Sequence, residues 1–175
     1  MKLSAVIENL YMFNEAGDLP ARIDAAAAAG LDRVEFHMWN QVDIDAGELA
    51  KAKGSTADVR AFAQQMITDH GGVNRKAKAL AARLHVTPSP GETSAALQKG
   101  GDENVATLKK LSGPAFDRAY VDHEVAYHQQ VIDALDKTLI PSAQNAELKD
   151  LLVSVRPAFV AHLDHAKHLQ SALPK

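Results

Sequence analysis

The chain has 175 residues, 46% of them hydrophobic, which suffices for one well-buried domain and is too few for two of ordinary size. A formal net charge of −3, with Lys and Arg scattered along the chain, offers no basic field to a phosphate backbone, so nucleic acid is excluded as a partner. The absence of cysteine excludes disulfides, thiolate catalysis and cysteine-ligated zinc or iron–sulfur sites, so any metal must be held by His, Asp or Glu.

Lys2 to Tyr11 mixes apolar and β-branched residues over a strand's length, and Asn14 to Gly17 supplies turn chemistry. The run from Lys2 is broken by Glu8 and Asn9, too short for a secretory signal, and no stretch nears the roughly 20 apolar residues of a transmembrane segment. As written, the chain reads as cytoplasmic. Asp18 is a good N-cap with Pro20 in the first turn, and Ile23-Asp24 followed by five alanines runs to Gly30, predicting a short helix. Arg33 to Trp39 then reads as a second strand, completing a β-α-β unit.

Met1-Lys-Leu-Ser-Ala-Val-Ile-Glu8, Ile23 through Asp32 and Val34-Glu-Phe36 resemble the start of hydroxypyruvate-isomerase-like sugar isomerases, which are TIM barrels. The resemblance covers about the first 45 residues and implies only the first β-α-β of the eight-fold repeat, whereas a closed barrel needs some 200 residues or more. The later strands, which carry that family's metal-binding and catalytic carboxylates, have no counterpart. Isomerase activity is therefore expected to be absent. An appendage of this kind cannot cover both its faces, so the exposed N-terminal segment, with Met38 and Trp39, is a candidate surface for a homo-oligomer.

From about Asn40 the period becomes helical. Val42, Ala46 and Leu49 form a stripe ending at Gly54, with Asp45 on its edge. Val34 to Trp39 is strand-like toward Arg33 and helix-like toward Asn40. Ser55 with Asp58 reads as a capping-box variant, after which Val59, Phe62, Met66, His70, Val73, Ala77, Leu80 and Leu84 recur at spacings of three and four. Thr87-Pro-Ser-Pro-Gly91 ends that helix. A shorter helix is expected between Glu92 and Leu111, interrupted near Gly100-Gly101, and Pro114 opens a long one with Phe116, Tyr120, Glu124, His128, Val131 and Leu135 inward, stopped by Pro141. The last helix starts near Asn145 and buries Leu148, Leu152, Val155, Phe159, His162, Ala166 and Leu169, with Pro157 bending it or freeing a carbonyl.

These elements predict an all-α fold, a four-helix bundle preceded by the small β-α-β appendage. Residues 1–42 are read as an isomerase-like fragment that is not an independent domain, and residues 43–175 as the bundle. Asp43-Ile-Asp-Ala-Gly-Glu-Leu-Ala50, Val59 through His70, Phe116-Asp-Arg-Ala-Tyr120 through His128, and Arg156 through Leu163 resemble the bacterial ferritin-like domain of unknown function 4142. That resemblance implies a ferritin-like bundle from a family usually exported to the periplasm behind a signal peptide. Asp43-Ile-Asp-Ala46 fits both families, which implies a chimera joined at this tetrapeptide.

His70, His128 and His162 fall on the apolar stripes of three helices and would converge in a closed bundle. Imidazole suits a transition metal (Zn, Fe, Cu or Ni), and Asp45 and Glu124 are the carboxylates expected to complete the site. Asp69, Asp122 and His123 flank the stripes as outer partners, and His165 lies one turn beyond His162. A plainer reading makes the histidines core residues bonded to Tyr120, Tyr127 or Asp117. Asp69 has a second expected role, at the solvent side, paired with Arg75 or Lys76. No stripe histidine lies in Glu-x-x-His, only in Glu124-x-x-x-His128, which disfavours a di-iron ferroxidase centre. The favoured function is a non-enzymatic bundle, stress-related or metal-binding; a metalloenzyme at the same residues and an inactive isomerase-like protein are the alternatives.

Overall fold

A computed structural model of the protein describes residues 34–35, 40–83, 88–89, 92–143 and 146–174. The first strand and the alanine-rich helix expected before residue 34, Met38 and Trp39, and the proposed homo-oligomer surface lie outside the described residues. Val34–Glu35 (β1) pairs in parallel with Pro88–Ser89 (β2), Val34 lying opposite Pro88. Two residues per strand leave no periodicity to read, so nothing in the sequence pointed to this partner.

The helices are α1 (Asn40–Lys53), α2 (Ala57–Arg83), α3 (Glu92–Lys109) and α4 (Gly113–Ala134), then a π-helical turn (Leu135–Leu139), the single turn α5 (Ile140–Ser142) and α6 (Ala146–Ala172). Around the bundle, α1 touches α2, α2 touches α6, α6 touches α4 and α4 touches α1, while α3 lies against α1 and α4. The result is a helical bundle with a fifth helix on its flank. No helix among the described residues is long and apolar enough to cross a membrane.

Three contacts set where the helices sit. Fully buried Asp117 on α4 accepts hydrogen bonds from the Ser55 amide (2.8 Å), the Ser55 hydroxyl (2.6 Å) and the Thr56 amide (3.1 Å) at the start of α2. Lys53 donates to the Leu108, Lys109 and Leu111 carbonyls where α3 ends. Arg118 donates to the Gln170, Leu173 and Pro174 carbonyls at the end of α6. In the last two, a cation meets the negative end of a helix dipole and its orphan carbonyls. The turn from α1 to α2 also needs Gly54, because a Cβ there would stand 2.7 Å from the Ala50 carbonyl oxygen.

The structure corrects three local expectations. The N-cap of α2 is Thr56, whose hydroxyl accepts from the Val59 amide at 3.2 Å, and the expected Ser55/Asp58 box is replaced by the Asp117 bonds. Helix α3 runs unbroken through Gly100 and Gly101, since packing on α1 outweighs a glycine penalty of about 1 kcal/mol each. Pro141 does not stop the helical path at once; the wide π turn, closed by the Ile140 amide on the Leu135 carbonyl, carries it to Ser142. Pro157 does lie within α6, and the carbonyl it frees, that of Val153, belongs to a residue half open to solvent.

Two apolar clusters fill the bundle. One contains Phe62, Met66, Phe116, Tyr120, Ala166 and Leu169; the other contains Tyr127, Val131, Leu135, Val155, Phe159 and Leu163. Each large side chain so buried contributes about 1.5–3 kcal/mol. Along α4 the boundary between the clusters falls at Glu124, and along α6 between Leu163 and Ala166, just past His162, so the polar layer lies where the two apolar clusters meet.

Candidate functional site

The polar layer is assembled by helical spacing. On α4, Phe116, Tyr120, Glu124 and His128 recur every four residues and are all buried. His70 follows Met66 by one turn on α2, and His162 lies between Phe159 and Ala166 on α6. The three imidazoles converge: each pair of ring centroids is 5.3 Å apart, and one nitrogen from each ring lies within 4.8 Å of the others. All three are withdrawn from solvent, at 0%, 0% and 2% exposure.

The carboxylates only partly follow expectation. Glu124 is fully buried beside His128, its Oε2 3.4 Å from Nδ1. Asp45 is not in the site: it lies on the exposed side of α1. Asp43 is there instead, 1% exposed, with its Oδ2 against His70 Nδ1. Residues two apart on a helix point about 200° apart, so burying Asp43 with Ala46 and Ala50 turns Asp45 outward. Of the expected stripe, Ala46 is buried and Leu49 packs against the core, and the buried face also takes in Asp43 and Ala50. Three buried small or short residues spaced 43, 46 and 50 were the missed signal.

Two rings are hydrogen-bonded on one nitrogen, and the third is in ion-pair contact on one. His128 Nδ1 lies 2.9 Å from the Glu124 backbone carbonyl, His162 Nε2 lies 2.9 Å from Asp69 Oδ2, and His70 Nδ1 meets Asp43. Asp69 thus bonds across to α6, and no bond to Arg75 or Lys76 is seen. Asp117 serves the α2 cap and Asp122 accepts from Gln170 at the surface, so neither touches the imidazoles. His123 is half-buried and stacks on Tyr127, and His165 meets Gln65 and the Phe62 ring.

Burial shapes the charges. It pushes His128 down to about 4, with Asp43 pulling the other way and His70 adding to the depression. Burial also lowers His162, against the raising effect of its bond to Asp69. Both rings are therefore neutral near neutral pH and keep a lone pair. For Asp43, burial is the largest single influence and raises its pKa, but His70, His128 and Glu124 together outweigh it, leaving the carboxyl below its ordinary value. Glu124 goes well above its ordinary value through burial and then the charge of Asp43. Tyr120 and Tyr127 are raised by burial and by the same two carboxyls, so both phenols stay protonated.

His70 Nε2, His128 Nε2 and His162 Nδ1 are buried and have no hydrogen-bond partner. A buried polar atom left so costs about 1–3 kcal/mol. A water has two protons and can satisfy two of three such acceptors; a metal ion satisfies all three. At the 4.8 Å limit, a central ion would sit about 2.8 Å from each nitrogen, so closing to the roughly 2.0–2.1 Å of a Zn–N bond needs about 0.7 Å of side-chain movement. The donor set fits a nitrogen-seeking transition metal.

A family model described as Domain of unknown function (DUF4142) matches residues 19–169. The match begins before Asp43, within the segment read from sequence as isomerase-like. No curated protein and no solved structure matches the chain.

Proposed function

The chain belongs to the DUF4142 family, and we propose that it is a non-enzymatic, ferritin-like bundle that binds one transition-metal ion through His70, His128 and His162. What carries this reading is the layer of three buried, mutually facing imidazole nitrogens between two apolar clusters. Imidazole donors favour copper, nickel or zinc, whereas the di-iron pattern would require Glu-x-x-His pairs on two helices. Full enclosure favours holding an ion over turning over a substrate. A metalloenzyme would use the fourth coordination position that three ligands leave open, but a substrate would have to reach rings that are at most 2% exposed. We place the functional unit at residues 43–175, since every residue of the cluster lies there.

The test is thermal melting of chelator-treated protein without a polyhistidine tag, with and without Zn2+, Cu2+, Ni2+ or Fe2+. A ligand at 100 times its Kd stabilises by about 2.7 kcal/mol, which shifts the Tm of a chain this size by about 5–10 °C. His128→Ala and His162→Ala should abolish the shift while remaining helical. A wild-type Tm that none of the four ions moves would sink the reading.

A further inference from the structure

The oxygens around the three rings determine which nitrogen of each is available. A backbone carbonyl can only accept, so the His128 Nδ1 that lies 2.9 Å from the Glu124 carbonyl carries the proton and Nε2 holds the lone pair. A carboxylate likewise accepts, so His162 is protonated on the Nε2 that faces Asp69 at 2.9 Å, and its Nδ1 is free. His70 turns Nδ1 to Asp43, which leaves Nε2. The free set is thus His70 Nε2, His128 Nε2 and His162 Nδ1. All three are buried atoms without a hydrogen-bond partner; for His128 and His162 the other nitrogen is bonded, and for His70 the contact of Nδ1 with Asp43 makes the choice. A site of three imidazoles need not mix ring nitrogens; here the mixture follows from α2 and α4 offering their anchors at Nδ1 while α6 offers Nε2 to Asp69 of α2.

We propose that the ion is a divalent metal bound by His70 Nε2, His128 Nε2 and His162 Nδ1, with Asp43 and Asp69 acting as positioning residues that hold the rings and supply two balancing negative charges. This rests on the metal-binding reading above. Asp43 and Asp69 are not members of the converging group, and each faces the ring nitrogen opposite the one assigned to the metal. A carboxylate that accepts from the far N–H of a ligating histidine fixes its tautomer and makes it a stronger donor, and losing such a partner costs about 10–100-fold in metal affinity. The charges also match. Three neutral imidazoles add nothing to a dication, and a buried charge is tolerated when paired, so two carboxylates bonded to the ligand rims leave the layer neutral. Asp69 is the more accessible of the two, its side chain 41% exposed against 0% for Asp43, so it can be replaced without opening a core cavity.

The experiment uses full-length protein with 15N-labelled histidine, chelator-treated and then titrated with Zn2+, read by long-range 1H–15N correlation. Metal-free protein should show Nδ1–H tautomers for His70 and His128 and an Nε2–H tautomer for His162. Zn2+ should shift only the unprotonated nitrogen of each ring. Asp69→Ala should mix the His162 tautomers and weaken Zn2+ binding about 10–100-fold, while Glu48→Gln, at an exposed carboxyl on α1, should change neither. Zn2+ bound through the opposite nitrogen of any ring, or an Asp69→Ala protein with unchanged His162 tautomer and affinity, overturns the assignment and leaves metal binding standing. No perturbation of any of the three rings by Zn2+ overturns both.

Discussion

Replacing Glu124 by Gln should stabilise the metal-free protein increasingly as pH rises. Glu124 is fully buried, and burial together with the Asp43 charge holds its pKa well above the ordinary 4.5. In the unfolded chain the same carboxyl releases its proton near 4.5. Its folded-state pKa is raised, so its contribution is fully present below 4.5 and is lost as pH rises toward the folded value. In that window the native state binds one more proton than the unfolded state, and stability falls by about 1.4 kcal/mol per pH unit. Glu124→Gln keeps the shape and a donor for Asp43 but removes this proton. Its stability relative to wild type should therefore improve steadily as pH rises above about 4.5 toward the folded-state value. The other ionisable groups are common to both proteins and largely cancel in the difference. Urea unfolding at several pH values in the presence of a chelator reads the effect directly. A difference that stays constant with pH, or moves the other way, would show that Glu124 is ionised in the fold and refute the electrostatic account of the layer.

The opposite limb belongs to His128. Its pKa falls from 6.5 to about 4, so the unfolded chain takes up a proton that the native state refuses. Stability should drop by about 3 kcal/mol from this group as pH falls through that range, and His128→Leu should flatten the drop in acid unfolding curves. Asp117→Ala should cost about 2–3 kcal/mol, measured by urea unfolding, because it strips the three bonds that seat the start of α2. Two glycines should respond in opposite directions in thermal melts. Gly54→Ala should destabilise by about 1–3 kcal/mol because its Cβ meets backbone at 2.7 Å. Gly72→Ala, where a Cβ meets only Arg75 at 3.9 Å, should stabilise by about 0.5–1 kcal/mol.

The three histidines were legible because they sit in phase with large apolar neighbours: Met66 before His70, Val131 after His128, Phe159 before His162. The inward face of α4 was legible for the same reason, from Phe116 to Leu135. On α1 the fully buried positions include Ala46 and Ala50, which carry little hydrophobic signal, so the burial of Asp43 was not legible and Asp45 was taken in its place. Cross-helix anchors such as Asp69 to His162 and Asp117 to Ser55 depend on tertiary packing, which spacing along one helix does not encode. The π turn likewise arises from how the helix meets Pro141, where proline alone suggested a stop.

The most direct test of the central claim is metal stoichiometry after equilibrium dialysis of untagged protein against Zn2+. One ion per chain in the wild type, and none in a folded His128→Ala protein, is the result this account predicts. No bound ion in the wild type, or one ion per chain that survives His128→Ala, would contradict it.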